Sequence, residues 1–451
     1  MQSSPAVGST RRSTPLGIVV PAKRSGRGSL ALLLAVLLAA PGCFFLSGPR
    51  PDQMHPSSEL TAGSPEFLLA VSGTLNAPLR RGGHAELLVN GVEFVPALLE
   101  SIDGAERSVH FTTYVWEPGR LSDLILDALE RAAARGVDVR LLLDGHGARN
   151  LDPEALEGLE RAGASVATFR PLGLGWLSRA HKRNHRRAIV IDGETGFTGG
   201  AGVADVWLGD AGSPEQWRDD LVKVSGELAR SLQAAFTELW VQTTGEVPTG
   251  TSVHPLRPRT DPDPEAEPVT LHVSVASSPS SEHTPLRTLF WLSFAGARER
   301  IWISNPYVVP APSLRDVLCD RAREGVDVRI LTAGDHSDIA VVRWATRHHY
   351  DQLLDAGVRI FEYQPTLIHS KSLVVDGVWS LVGSANLDFR SSELNEENVL
   401  AIRDTRFAAR LEEVFLADLR NAREIDAEHW ARRGPFARAR ELMGFLMEEQ
   451  L

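Results

Sequence analysis

Apolar and polar positions follow an order that runs twice along this chain. In the first run a strand-like stretch, Val109-His-Phe-Thr-Thr-Tyr114, precedes Leu121, Leu124, Ile125, Ala128, Leu129 and Ala132, whose spacing predicts a helix. A second strand-like stretch follows, Gly136-Val-Asp-Val-Arg-Leu-Leu-Leu143. In the second run Ile301-Trp-Ile-Ser-Asn-Pro-Tyr307, the helical positions Leu314, Val317 and Leu318, and Gly325-Val-Asp-Val-Arg-Ile-Leu331 repeat that order. Strand, helix and strand in each copy predict an α/β unit with helices packed on a mixed sheet. A duplicated unit predicts a pseudo-twofold pair with one site shared between the halves.

The stretches outside this pattern divide the chain. Residues 1–42 have a basic start, an apolar run from Leu30 to Ala40 and the small-residue approach Ala40-Pro41-Gly42 to Cys43. The run is short for a membrane span and has the size of a signal-peptide core. Residues 43–77, rich in Pro, Ser and Gly, are expected to be a tether, and 243–268 an exposed linker. Units at 78–242 and 269–451 remain. The last carries Trp430, Phe436, Leu442, Met443, Leu446 and Met447 among arginines and glutamates. That spacing predicts an amphipathic helix, read as packing on its own domain, with an interfacial membrane contact as the sharper alternative.

Charge narrows the partners. The net charge is −11 over 451 residues, and residues 1–42 hold five basic and no acidic side chains, so the remainder carries 42 Lys and Arg against 58 Asp and Glu, a net of −16. Such a body repels bulk nucleic acid unless it has a local basic groove, so no nucleic-acid partner is expected. Two cysteines, Cys43 and Cys319, provide neither a disulfide framework nor a cysteine-based zinc site. Cys319 falls in a helical stretch and reads as a small buried apolar residue.

The candidate chemistry is also doubled. His185, Arg187, Asp192, Gly199 and Gly200 recur as His369, Lys371, Asp376, Gly383 and Ser384, each 184 positions later. In Ile368-His-Ser-Lys-Ser-Leu-Val-Val-Asp376 the strand period puts His369 and Lys371 on one face. A cation beside an imidazole suits a phosphodiester: one neutralises the non-bridging oxygens, the other attacks phosphorus or protonates the leaving oxygen. Gly200, Ser384 and Asn386 read as further donors to phosphate oxygens. Asp192 and Asp376 precede glycine at strand ends and have a turn role as the alternative to catalysis. His181 and His185, four apart, would make a metal pair, but no third ligand is apparent, so no metal or other cofactor is expected. His348-His349 read as helix-surface residues, and Asp335 to Asp338 as an ordinary turn, with pocket lining as the alternative.

These motifs resemble the phospholipase D superfamily, whose signature is H-x-K-x(4)-D followed by G-S-x-N. Leu367 to Gly377 and Gly383 to Glu397 are similar to bacterial cardiolipin synthases, and Asn90-Gly91, Phe111 to Trp116 and Asn184 to Gly193 agree in the first half. The resemblance implies two tandem α/β/α domains related by a pseudo-twofold, with no metal required. It implies a phosphohistidine on His185, with His369 as acid/base. Glu397 matches the family's histidine-orienting carboxylate, and Asp219 in Trp217-Arg-Asp219 is the candidate in the first half. The first motif departs from the signature: Arg187 replaces lysine and Gly202 replaces the asparagine equivalent to Asn386. A cysteine after the apolar run likewise resembles a bacterial lipoprotein signal, with Cys43 as the lipidation site.

The expectation is therefore a membrane-associated phosphatidyltransferase of the cell envelope, joining two phosphatidylglycerols with release of glycerol. Its rivals are a phospholipid hydrolase, another phosphodiesterase or nuclease with an open basic groove, and a catalytically weakened lipid-binding lipoprotein. Sequence leaves the acceptor alcohol and the oligomeric state open.

Overall fold

A computed structural model describes residues 54–173, 182–255, 270–278 and 284–448. The leader with Cys43, His181 and linker residues 256–268 fall outside them. Both expected strand–helix–strand runs fold as predicted, each as two parallel strands joined by a helix. In the first half β3 (Ser108–Thr113) pairs with β4 (Asp138–Asp144) across helix Arg120–Ala134; in the second β10 (Arg300–Ser304) pairs with β11 (Asp327–Ala333) across helix Pro312–Arg323. Leu121, Ile125, Ala128, Leu129 and Ala132 are all buried, so the helical spacing marks the core-facing stripe.

The first sheet has seven strands. Besides β3 and β4 it contains β2 (His84–Val89), β5 (Ser165–Phe169), β6 (Ala188–Ile191), β7 (Thr195–Gly199) and β8 (Asp220–Ser225), in the order β2-β8-β7-β6-β3-β4-β5. The second has nine, in the order β1-β9-β15-β14-β13-β10-β11-β12-β16. Its further members are β1 (Arg80–Arg81), β9 (Leu271–Ser277), β12 (Arg359–Tyr363), β13 (Ser372–Val375), β14 (Trp379–Gly383), β15 (Glu397–Arg403) and β16 (Ala422–Glu424). One apolar cluster takes Val190, Val222, Leu232 and Phe236 from the first half and Val374, Val382, Leu400, Ile402 and Phe407 from the second. The halves thus share a core, which holds them in one register.

Two boundaries differ from the expected ones. Within the expected tether, Pro65–Leu75 is a helix: the Ser64 hydroxyl accepts from the Phe67 amide, Pro65 occupies the first turn and Asn76 ends it in the left-handed region. Phe67 is fully buried edge-on to Trp379, so this segment belongs to the second half's core, and β1 then joins the second sheet through β9. Composition suggested a tether because Pro and Ser here are capping residues. The expected linker also starts late. Helix Glu227–Thr244 runs through Thr243, and beyond it Val253 is buried while the Ser252 carbonyl accepts from the Ser108 hydroxyl.

His349 is buried instead of lying on a helix surface, and His348 is half-buried. His349 Nε2 is 2.8 Å from Glu448, and His348 stacks on Phe445, because the C-terminal helix Pro435–Phe445 covers them. No helix of the described residues is long and apolar enough to cross a membrane.

Candidate active site

The motif histidines do not sit within strands. Each lies just before one, β6 or β13, where the extended chain pairs with the opposite half. Asn184 bridges to Glu396 and Ile368 to Arg218. The His185 amide donates to the Glu396 carbonyl at 2.9 Å, and the His369 amide donates to the Arg218 carbonyl at 2.7 Å. This exchange crosses the carboxylates. His185 Nδ1 lies 2.8 Å from Glu397, and His369 Nδ1 lies 2.7 Å from Asp219. Sequence reasoning gave each histidine a carboxylate from its own half; the structure gives it the other half's. With Nδ1 engaged, Nε2 is the nitrogen left for chemistry on each ring.

The two carboxylates are held differently. Glu397 accepts from the hydroxyls of Ser384 and Ser391. Asp219 accepts from the Trp207 indole N–H at 2.9 Å and the Asp220 amide at 2.8 Å. Gly200 stands where the second half has Ser384, because a Cβ there would lie 2.3 Å from Asp219 Oδ1. Similarly, a Cβ at Gly202 would lie 2.9 Å from the Val115 carbonyl and 3.2 Å from the Trp207 ring. The indole has filled the space of the missing asparagine and donates to Asp219. Gly200 and Ser384 thus shape the carboxylate sites rather than offering free phosphate donors. Asn386 is buried, its amide accepts no partner at Oδ1 among the described residues, and its backbone N–H donates to Ser391.

The cations correspond in spite of their different chemistry. Arg187 Nη1 donates to the His185 carbonyl at 2.7 Å, and Lys371 Nζ donates to the His369 carbonyl at 2.8 Å. Both side chains are buried, and Lys371 Nζ also lies 3.1 Å from both ring nitrogens of His369. Asn398 ties the halves together beneath them: it accepts from the Arg187 amide and donates to the Arg187 carbonyl and the Thr198 hydroxyl.

Burial and charge make the two dyads electrostatically unlike. Burial, then Arg187 and Lys371, push His185 well below the ordinary histidine value. Burial lifts Glu397 to about 7, against the hydrogen bond from Ser384 and the charge of Arg187. Burial would also lift Asp219, but the charge and hydrogen bond of His369, with Lys371, keep it below the ordinary carboxylate value. Burial and Lys371 lower His369, while Asp219 opposes them. Burial brings Lys371 down to about 7. The first dyad therefore favours a neutral imidazole beside a carboxyl about half protonated near pH 7, the second an ionised carboxylate beside its imidazole.

Asp192 and Asp376 lie elsewhere. With φ of +55° and +52°, they turn the chain after β6 and β13. Asp192 accepts from the amides of Glu106, Arg107 and Ser108, and Asp376 from those of Arg298, Glu299 and Arg300. They tie down loops, at the strand ends away from the histidines. Several neighbours of the site lie outside the duplicated histidine motif. Tyr114 lies edge-on to His185 at 5.2 Å, and Trp207 and Trp217 flank His369. Tyr307 donates to Asp338 at 2.6 Å, which favours the pocket-lining alternative for Asp338 over an ordinary turn. Each tyrosine ends the first strand-like stretch of its repeat, a shared position that could have flagged both.

A family model described as "Cardiolipin synthase, PLD-like domain" matches residues 98–240 and 293–419. A cardiolipin synthase of Geobacillus kaustophilus is 33% identical over 366 residues, covering 80% of this chain and 70% of that one. One of Listeria innocua is 30% identical, covering 84% and 78%. Phosphatidylserine synthase of Haemophilus influenzae has the same fold at 18% identity and a TM-score of 0.64, covering 85% of this chain and all of that one. Polyphosphate kinase of Porphyromonas gingivalis follows at 15% identity and 0.51, covering 84% and 54%. The chain belongs to the cardiolipin synthase-type branch of the phospholipase D superfamily, and is a phospholipid phosphatidyltransferase or phosphodiesterase of that family.

Proposed function

We propose that this chain condenses two phosphatidylglycerols to cardiolipin and glycerol through a phosphatidyl–histidine intermediate on His185. The observation that supports this most is the inequality of the crossed dyads. A neutral His185 has its Nε2 lone pair available to attack phosphorus, and an imidazolium at His369 has an ionised Asp219 to stabilise it. In the first step the P–N bond to His185 forms as the P–O bond to glycerol breaks, and His369 gives its proton to the departing oxygen. In the second, the terminal hydroxyl of another phosphatidylglycerol loses its proton to His369, attacks phosphorus, and releases His185. Arg187 and Lys371 neutralise the non-bridging oxygens. Water in place of the second lipid would give phosphatidic acid.

The lipid substrate agrees with an envelope location, with Cys43 as a lipid anchor. Labelled phosphatidylglycerol in mixed micelles tests the reading: cardiolipin that disappears in His369→Ala is the expected result. Phosphatidic acid alone would replace transfer by hydrolysis, and cleavage confined to non-lipid diesters would overturn the substrate.

A further inference from the structure

The C-terminal segment carries apolar side chains where solvent meets them. Twelve large apolar side chains are exposed among the described residues, and six of them lie between positions 436 and 447: Phe436, Leu442, Met443, Phe445, Leu446 and Met447. Phe436 is 85% exposed and Leu446 74%. The same helix, Pro435–Phe445, turns Glu441 and Gly444 inward onto helix Ala340–His348; a Cβ at Gly444 would lie 2.4 Å from the Ala345 amide nitrogen. Its inner face is committed, and its outer side mixes apolar side chains with the exposed Arg438 and Arg440, while Phe445 also stacks on His348. Exposed apolar residues scattered singly need no explanation, but a cluster of this kind marks a contact surface.

A basic cavity of about 250 Å³ opens beside this helix, lined by Arg343, Arg347, Arg423 and Arg440 together with Asp335 and Glu441. Fully buried Glu362 partners Arg343, Arg347 and Arg423, Asp335 pairs with Arg343 and Glu441 with Arg347, so four guanidinium groups meet three carboxylates. Arg343 Nε is buried without a hydrogen-bond partner, and Arg440 makes no ion pair among the described residues. This cluster stands out in a body whose net charge beyond residue 42 is −16. Overall charge opposes approach to an anionic bilayer, so docking needs a local basic contact of this sort.

We propose that the C-terminal helix and the arginine cavity together dock an anionic phospholipid bilayer: the apolar side chains enter the acyl boundary and the cavity takes a lipid phosphate. The class of occupant rests on the phospholipid reading of the active site. The placement has a consequence for that site. Asp335 lines the cavity three residues before Asp338, whose charge acts on Lys371, so the docking surface is joined to the site through one short segment.

The test uses the full chain with Cys43→Ser and Leu446→Cys, labelled with an environment-sensitive fluorophore; Cys319 is buried and stays unlabelled. A blue shift with vesicles of phosphatidylglycerol and phosphatidylcholine is expected, with none on phosphatidylcholine alone and none from a label at Val247→Cys, another exposed position. Arg440→Glu should weaken the vesicle titration by roughly 25-fold, at about fivefold per charge, with the unfolding midpoint unchanged. Equal shifts on neutral vesicles, a titration indifferent to Arg440→Glu, or no shift at all would each overturn the proposal. Insertion by a protein that makes no cardiolipin would keep this proposal and remove the preceding one.

Discussion

The two halves of the active site share a backbone plan and differ in how they hold charge. In one dyad two serines steady Glu397, which burial lifts to about 7, beside a histidine pushed towards its neutral form. In the other, His369 and Lys371 keep Asp219 ionised, with an indole and an amide also donating to it. Duplication alone would give two interchangeable histidines. The substitutions around them, Gly200 for serine and Trp207 filling the space of an asparagine, give two environments suited to two roles. Because the pairing is crossed, each histidine depends on the half that does not contain it.

The largest effect that would test this difference is loss of either ring. His185→Ala and His369→Ala should each lower turnover by about 10⁴-fold or more, and a mild loss in either would remove one role. Next come the carboxylates. Asp219→Asn withdraws a charge from the acid/base and should cost about 10²–10⁴-fold in kcat, by analogy with the orienting carboxylate of a catalytic triad. Glu397→Gln replaces a carboxyl already about half protonated near pH 7 and should cost less, about tenfold. Steady-state kinetics that reverse this order would break the comparison.

The cations should differ with pH. Lys371 loses its charge above its value of about 7, whereas a guanidinium keeps its charge throughout, so kcat/KM should fall as pH rises past about 7. Lys371→Arg copies the first motif and should extend activity to higher pH; an unmoved alkaline limb would exclude Lys371 as its source. The smallest catalytic effect belongs to the distal aspartates. Asp192→Ala strands three backbone donors and should cost roughly 1–3 kcal/mol in denaturant unfolding while leaving kcat unchanged.

Much of this was legible in the sequence because it depends on local periodicity. The duplicated strands and helices follow from apolar spacing, and the histidines, Arg187 and Lys371 follow from repeated motifs. The crossing of Glu397 and Asp219 was not legible, since it arises from two short parallel bridges between segments distant in sequence. Asp192 and Asp376 repeat as faithfully as the histidines, yet what they preserve is a turn: a repeat records constraint without saying whether it is chemical or structural. The buried helix at Pro65–Leu75 was missed through composition, although Ser64-Pro65-Glu66 is a helix-start signal that pattern reading could have used.

The most direct measurement is to trap the intermediate. A phosphatidyl ester of 4-nitrophenol has a leaving group that needs no protonation, so His369→Ala should release about one equivalent of nitrophenolate per protein in a burst. Digestion at neutral pH and mass spectrometry should then find the phosphatidyl group on His185. An adduct on His369 in the His185→Ala protein, with none on His185 in the His369→Ala protein, would contradict the assignment of roles and the unequal dyads on which it rests.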